Sequence, residues 1–268
     1  MNAKCILVQW CLPIVVLLAT LTGCSKNDDN KSIQLYYAIY DDKSNPVEGN
    51  RVSLLFPTSD KTQLIILGGD GDYAISNSDE TVVNVTMESK HINITPLSTG
   101  SSTVTITDKS GGLYALNIDV LYQKLNLIID KQDVIVIGDK LSEMQKAEIR
   151  QKAALTLPVK VNGGYSFIYN LDQHKGEVSI YKDKYGENGV LSTFEEKYTE
   201  TAGAGYRSFA IQIDGKKREF VLDRYVVPVS KSDMIVPVAF IEIITEQFKA
   251  DYPDVESVYT QQRLINHR

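Results

Sequence analysis

Apolar and polar residues alternate in short runs from position 33 to position 122. In residues 114–120 (YALNIDV), Tyr114, Leu116, Ile118 and Val120 fall on one side and Ala115, Asn117 and Asp119 on the other, the two-residue period of a strand with one buried face. Residues 103–107 (TVTIT) alternate likewise, and residues 91–95 (HINIT) set Ile92 and Ile94 against His91, Asn93 and Thr95. Between these runs lie GGDGD (68–72), PLSTGSS (96–102) and DKSGG (108–112), whose Gly, Asp and Ser residues suit tight connections. No run in this part repeats at 3.6 residues over the length of a helix. The pattern predicts an all-β sandwich over residues 33–122.

The pattern changes after residue 122. Two apolar runs, LNLIID and VIVIG, read as strands within residues 125–138. Ser142 is followed three positions later by Gln145, a capping-box spacing, and residues 143–154 are mostly strong helix formers. Strands are expected at 159–161, 165–169 and 177–181, and a hairpin over 209–225 turning at Asp214-Gly215. Ile241, Ile244, Phe248 and Tyr252 fall at spacings of 3, 4 and 4 before Pro253. That spacing predicts a second helix, with a strand followed by a shorter helix at Thr245 as the alternative. The expectation for residues 123–268 is an α+β domain with an antiparallel sheet and one or two helices.

The first 32 residues obey neither pattern. Lys4 is the only charge before position 26, and residues 5–20 (CILVQWCLPIVVLLAT) are almost wholly apolar, as in the n-region and h-region of a signal peptide. The run is interrupted by Gln9 and Pro13 and is short for a membrane span of about 20 residues. The tetrad Leu21-Thr22-Gly23-Cys24 resembles the lipobox of bacterial lipoproteins. The resemblance implies cleavage between Gly23 and Cys24, acylation of the Cys24 thiol, and an outer membrane reached through that lipid. Residues 25–32 (SKNDDNKS) hold no apolar residue and read as a solvated tether. Lys26, Asp28 and Asp29 in it resemble the acidic export signals of Bacteroidetes surface lipoproteins, which implies an outward-facing, lipid-anchored protein. The expected division is a signal peptide at 1–23, a lipidated cysteine and tether at 24–32, and domains at 33–122 and 123–268.

The 64–120 stretch carries a second resemblance. YAISNSDETVVNV (73–85), PLSTGSSTVTITD (96–108) and YALNIDV (114–120) follow one another as in the bacterial Ig-like group 2 domains and their relatives in Bacteroides lipoproteins. The resemblance implies an Ig-like β-sandwich of the kind that serves as spacer, adhesion module or sugar binder.

Composition narrows the chemistry. Removing 23 of the 268 residues leaves 245, and the loss of Lys4 moves the formal charge from −6 to −7. An acidic chain without a basic stripe argues against nucleic acid as a partner. Cys5 and Cys11 leave with the signal peptide, so no disulfide framework or cysteine metal site is expected. Phosphate-binding, zinc-protease and serine-hydrolase motifs are absent from the sequence, and neither a cofactor nor a metal is implied. His91, His174 and His267 read as solvated side chains, and Asp70 and Asp72 as turn residues rather than calcium ligands.

Two readings of the second domain compete. Asp183, Glu187, Glu195 and Glu196 stand in a Tyr-rich stretch, and a glycan hydrolase needs only two suitably spaced acids. The same acids sit in Lys-rich runs, where solvated charges are the simpler reading. Tyr165, Tyr169, Tyr181, Tyr185, Tyr198, Tyr206 and Tyr225 are most simply strand-packing residues. An aromatic with a polar tip also stacks on sugars or peptides, and Tyr181, Tyr185 and Tyr198 are the candidate ligand-binding positions. The favoured expectation is a non-catalytic binding or adhesion module with an unidentified glycan or protein ligand. The alternatives are a glycan-processing hydrolase and a structural envelope or appendage component.

Overall fold

A computed structural model describes residues 32–38, 45–58, 60–201, 204–224 and 238–267. Cys24, Gly23, Lys26, Asp28, Asp29 and Tyr225 lie outside the described residues. The structure is mostly β, with strands β1 (Gln34–Tyr37), β2 (Arg51–Phe56), β3 (Thr62–Leu67), β4 (Ala74–Asn77), β5 (Val83–Glu88), β6 (His91–Pro96), β7 (Gly100–Thr107) and β8 (Leu113–Ile137). Helix α1 (Glu143–Ala154) follows. The remaining strands are β9 (Gly164–Asp172), β10 (Lys175–Tyr181), β11 (Val190–Thr201), β12 (Ala204–Ile213), β13 (Lys216–Arg224), β14 (Val238–Ile243) and β15 (Ser257–Asn266).

The first half buries its alternating residues between two sheets. One has the order β1-β3-β6-β5; in the other, β2 runs parallel to the start of β8, which pairs with β7, and β7 with β4. Leu64, Ile66, Ile92 and Ile94 from the first sheet meet Val52, Val104, Ile106, Leu116, Ile118 and Val120 from the second in one apolar cluster. These are the positions the two-residue period selects. The GGDGD and DKSGG turns are tied together by Asp108, whose carboxylate accepts from the backbone N–H groups of Asp70 (3.1 Å), Ser110 (3.0 Å) and Gly112 (2.7 Å).

β8 does not stop where the first sheet does. Its 25 residues contain no Gly or Pro, and the strand expected to begin near Leu125 is the continuation of the one holding Tyr114 to Val120. Its first part pairs with β7 and β2, and its second with β9 and β15.

From there the chain forms a barrel. Strands β8 to β15 each pair antiparallel with the next, and β15 returns to β8, with Leu264 opposite Ile129 and Gln262 opposite Gln132. This corrects the α+β expectation for residues 123–268: the antiparallel sheet closes on itself, and α1 is the single α-helix among the described residues. Closure removes the two edges that an open meander would leave unpaired. Two local devices permit it. Asp130 is an extra residue in β8 where the register shifts, so that Ile129 before it and Gln132 after it can both face inward. Gly176 sits at a second shift, where a Cβ would lie 1.9 Å from the Ile168 carbonyl oxygen.

α1 is capped as its sequence predicts. The Gln145 N–H donates to Ser142 Oγ (3.2 Å) and the Ser142 N–H to Gln145 Oε1 (2.9 Å). Ile149 and Ala153 form its buried face, packed with Val136, Leu141, Val258 and the segment holding Ile244, Phe248, Tyr252 and Val255. That segment is not the predicted second helix. Residues up to Ile243 belong to β14, and only Thr245–Gln247 makes a single 3-10 turn. The apolar spacing is used instead by an irregular segment whose side chains reach α1, and the Thr245 hydroxyl accepts from the Val258 N–H (2.9 Å). Residues 159–161 also make no strand: Val159 is a fully buried plug in the barrel end. The hairpin at Asp214-Gly215 is present, both residues having positive φ, as a two-residue turn of this kind requires.

Candidate functional site

The barrel is filled by its own side chains. Inward positions alternate along each strand: Tyr165, Phe167 and Tyr169 in β9, Val178 and Ile180 in β10, Phe194 in β11, Phe209 and Ile211 in β12, Phe220 in β13 and Phe240 in β14. The Phe167 ring centroid lies 4.9 Å from Phe194, 5.3 Å from Phe209 and 6.0 Å from Tyr165. Eight strands enclose a space that side chains of this size can fill. Tyr165 and Tyr169 therefore belong to the core, and burial pushes both hydroxyls well above the ordinary tyrosine range.

Polar groups close the two ends of this aromatic core. At the end where β9 turns into β10, Glu196 is buried and accepts from the Tyr169 hydroxyl (2.6 Å) and from Arg207 Nε. Burial pushes the Glu196 carboxyl up, but hydrogen bonds from Arg207 and Tyr169 outweigh it and hold the group below the ordinary carboxylate range. At the end covered by α1, Arg218 grips Glu242 with Nε (2.7 Å) and Nη2, and its Nη1 donates to the Thr156 carbonyl (2.9 Å). Beside them the Tyr165 hydroxyl donates to Gln262 Oε1 (2.9 Å). Thr260, in register with Glu242, keeps a buried hydroxyl that bonds no other group among the described residues.

The Glu196 cluster gives a pH-dependent test. A folded pKa below the unfolded one means that the stabilisation is complete above the ordinary glutamate value of about 4.3 and drains away as pH falls through the depressed value. Glu196→Gln should cost about 1–3 kcal/mol at pH 7, less than breaking a fully buried pair because Arg207 keeps contact with water. Denaturant titrations should show the gap between wild type and variant shrinking as the pH falls below about 4.

The four acids nominated for hydrolysis are each paired with a cation, Glu196 with Arg207. Asp183 is bonded by Lys160 (2.6 Å), Glu187 by Lys184 and Glu195 by Lys175 (3.5 Å). Adjacent residues of a strand point to opposite faces, so Glu195 is outside the barrel and Glu196 within it.

The candidate tyrosines divide. Tyr181 ends β10, and Tyr185 in the following loop lies with its ring centroid 4.8 Å away. His267, which follows β15, stacks on Tyr185 at 5.1 Å and 22°. The platform rests on the outer wall, where a Cβ on Gly164 would come within 3.0 Å of the Tyr185 ring. Beside it, Ser166 donates to Asn126 Oδ1 (2.7 Å) and the His267 N–H to the Asn126 carbonyl (2.9 Å). Burial against this wall raises the Tyr185 hydroxyl. Tyr198 stands apart, 64% exposed toward the other end of β11. It does not join the other two, because β11 runs antiparallel to β10 and carries residue 198 away from residue 181. His267 was legible only as a solvated residue near the C-terminus; no local pattern links it to Tyr185.

A separate cleft of about 400 Å³ lies between the two halves, where Leu54, Leu55 and Pro57 face Gln123, Gln173 and His174. Comparison of the sequence with protein-family models and with curated proteins finds no match.

Proposed function

We propose that the chain is a lipid-anchored, outward-facing outer-membrane protein that works as a non-catalytic binding or adhesion module. The observation that carries the binding role is the Tyr181–Tyr185–His267 platform on the outer wall of a barrel whose interior is already packed. Tyr181 tilts 56° from Tyr185, and aromatic rings with polar tips, beside amide and hydroxyl groups, suit packing on a sugar ring with hydrogen bonds to its hydroxyls. The Ig-like assignment of residues 33–122 is supported by two facing sheets of Ig-like strand order, β1-β3-β6-β5 and β2-β8-β7-β4. Separate apolar clusters, one drawn from residues 33–120 and another from 127–264, support division near residue 122. Continuity of β8 then makes the junction a strand rather than a linker. The anchor rests on Leu21-Thr22-Gly23-Cys24 and the tether behind it.

Two measurements test this reading. Cells fed labelled palmitate should label the wild-type chain and leave Cys24→Ala unlabelled and uncleaved; a cleaved and labelled variant would remove the anchor. Affinity electrophoresis through gels containing xylan, galactomannan or mucin should retard the protein, and Tyr185→Ala should lose the retardation by about tenfold in affinity. Equal retardation of wild type and variant, migration unaffected by all three, or hydrolysis abolished by Glu196→Gln, would overturn the binding role as stated.

A further inference from the structure

Beyond the platform, the barrel carries a polar cleft of about 670 Å³ at its α1 end, bounded by Thr156 after the helix, the turn holding Asp214 and Lys216, Arg218 with Glu242, and Gln247. Its charges do not cancel. Asp214 is neutralised by Lys182 (2.6 Å), Lys217 by Glu219 (3.3 Å), and Glu242 by Arg218. Lys216 has no carboxylate within ion-pair distance among the described residues. Arg218 uses three of its five N–H donors on Glu242 and Thr156, leaving two. Among the described residues this is a local excess of one cation, held beside a guanidinium whose orientation is fixed by three bonds.

We propose that this cleft binds the carboxylate of a small hydroxylated acid of monosaccharide size, such as a uronic acid. One uncompensated ammonium matches one carboxylate. Among the other lining groups, the Asp214 and Glu242 oxygens and the Thr156 hydroxyl, which itself donates to the Ala153 carbonyl (2.8 Å), can accept from sugar hydroxyls, the Gln247 amide can donate, and Ile213 supplies an apolar wall. The volume falls within the usual range of small-molecule sites, about 300–1,000 Å³. Thr260, in register with Glu242, has a buried hydroxyl that bonds no group among the described residues. The proposal rests on the reading of the chain as a binding module, but it uses a different surface from the tyrosine platform. The two therefore fail separately.

The test is calorimetric titration of the purified full chain in detergent with D-galacturonate, and with D-galactose as the neutral control. Galacturonate should saturate and galactose should not. Lys216→Glu should weaken galacturonate by at least about tenfold, Lys216→Arg should retain it, and rising salt should weaken it. Lys216 is exposed, so its variants keep the fold. Equal binding of the two sugars, an unchanged affinity in Lys216→Glu, or no saturation by about 10 mM galacturonate would overturn the site. Binding lost in Tyr185→Ala but kept in Lys216→Glu would also overturn it, and would place the acid on the platform with the binding-module reading intact.

Discussion

Replacing Phe167 by alanine should cost about 3–5 kcal/mol, the usual range for a fully buried phenylalanine. Phe167 is fully buried and its ring touches those of Tyr165, Phe194, Phe209 and Phe240, so truncation removes a central piece from an interdigitated interior. The neighbours come from β9, β11, β12 and β14 and cannot all move inward without disturbing the barrel's register. In a chain of this length the loss should lower the melting temperature by roughly 10 °C. Near-UV circular dichroism of the buried tyrosines reports the transition. Leu171 provides the contrast: it has the same strand parity but is 67% exposed, and Leu171→Ala should stay within about 0.5 kcal/mol. Equal effects at the two positions would mean that the interior is not packed as described.

Arg218→Ala should be comparably severe for a different reason. Arg218 and Glu242 are 15% and 9% exposed, so removal of the guanidinium leaves a largely desolvated carboxylate without the group that grips it. Breaking such a pair costs about 3–5 kcal/mol. The cost belongs to the stranded partner rather than to the bond, which a double-mutant cycle separates. Arg218→Met combined with Glu242→Leu should recover most of the loss, because two apolar side chains of similar volume leave no unpaired charge. Denaturant midpoints of the two single variants and the double variant check this. A double variant as unstable as the sum of the singles would mean zero coupling between the two positions and would refute the stranded-partner account.

Both results turn on which face of a strand a residue occupies, and that much was written in the chain. Tyr165, Phe167 and Tyr169 alternate with Ser166 and Ile168, and Leu116, Ile118 and Val120 with Asn117 and Asp119, so their inward faces follow from a two-residue period that needs no partner. The capping box at Ser142 and Gln145 and the turn at Asp214-Gly215 are equally local. Each is satisfied by backbone groups within a few residues, which makes it visible in a short window.

Tertiary structure decided what depends on partners far apart. β8 pairs with β15 across more than a hundred residues, and no local pattern distinguishes a meander that stays open from one that closes. The spacing of Ile244, Phe248 and Tyr252 misled because burial against α1 rewards those side chains without requiring them to lie on a helix of their own. Tyr181, Tyr185 and His267 meet because β15 returns alongside β8 and β8 lies beside β9; Tyr198 is excluded because antiparallel pairing carries it the other way. The Arg218–Glu242 grip likewise depends on β13 and β14 lying side by side. Alternation states which side of a strand is buried, but only the closed sheet states what stands opposite.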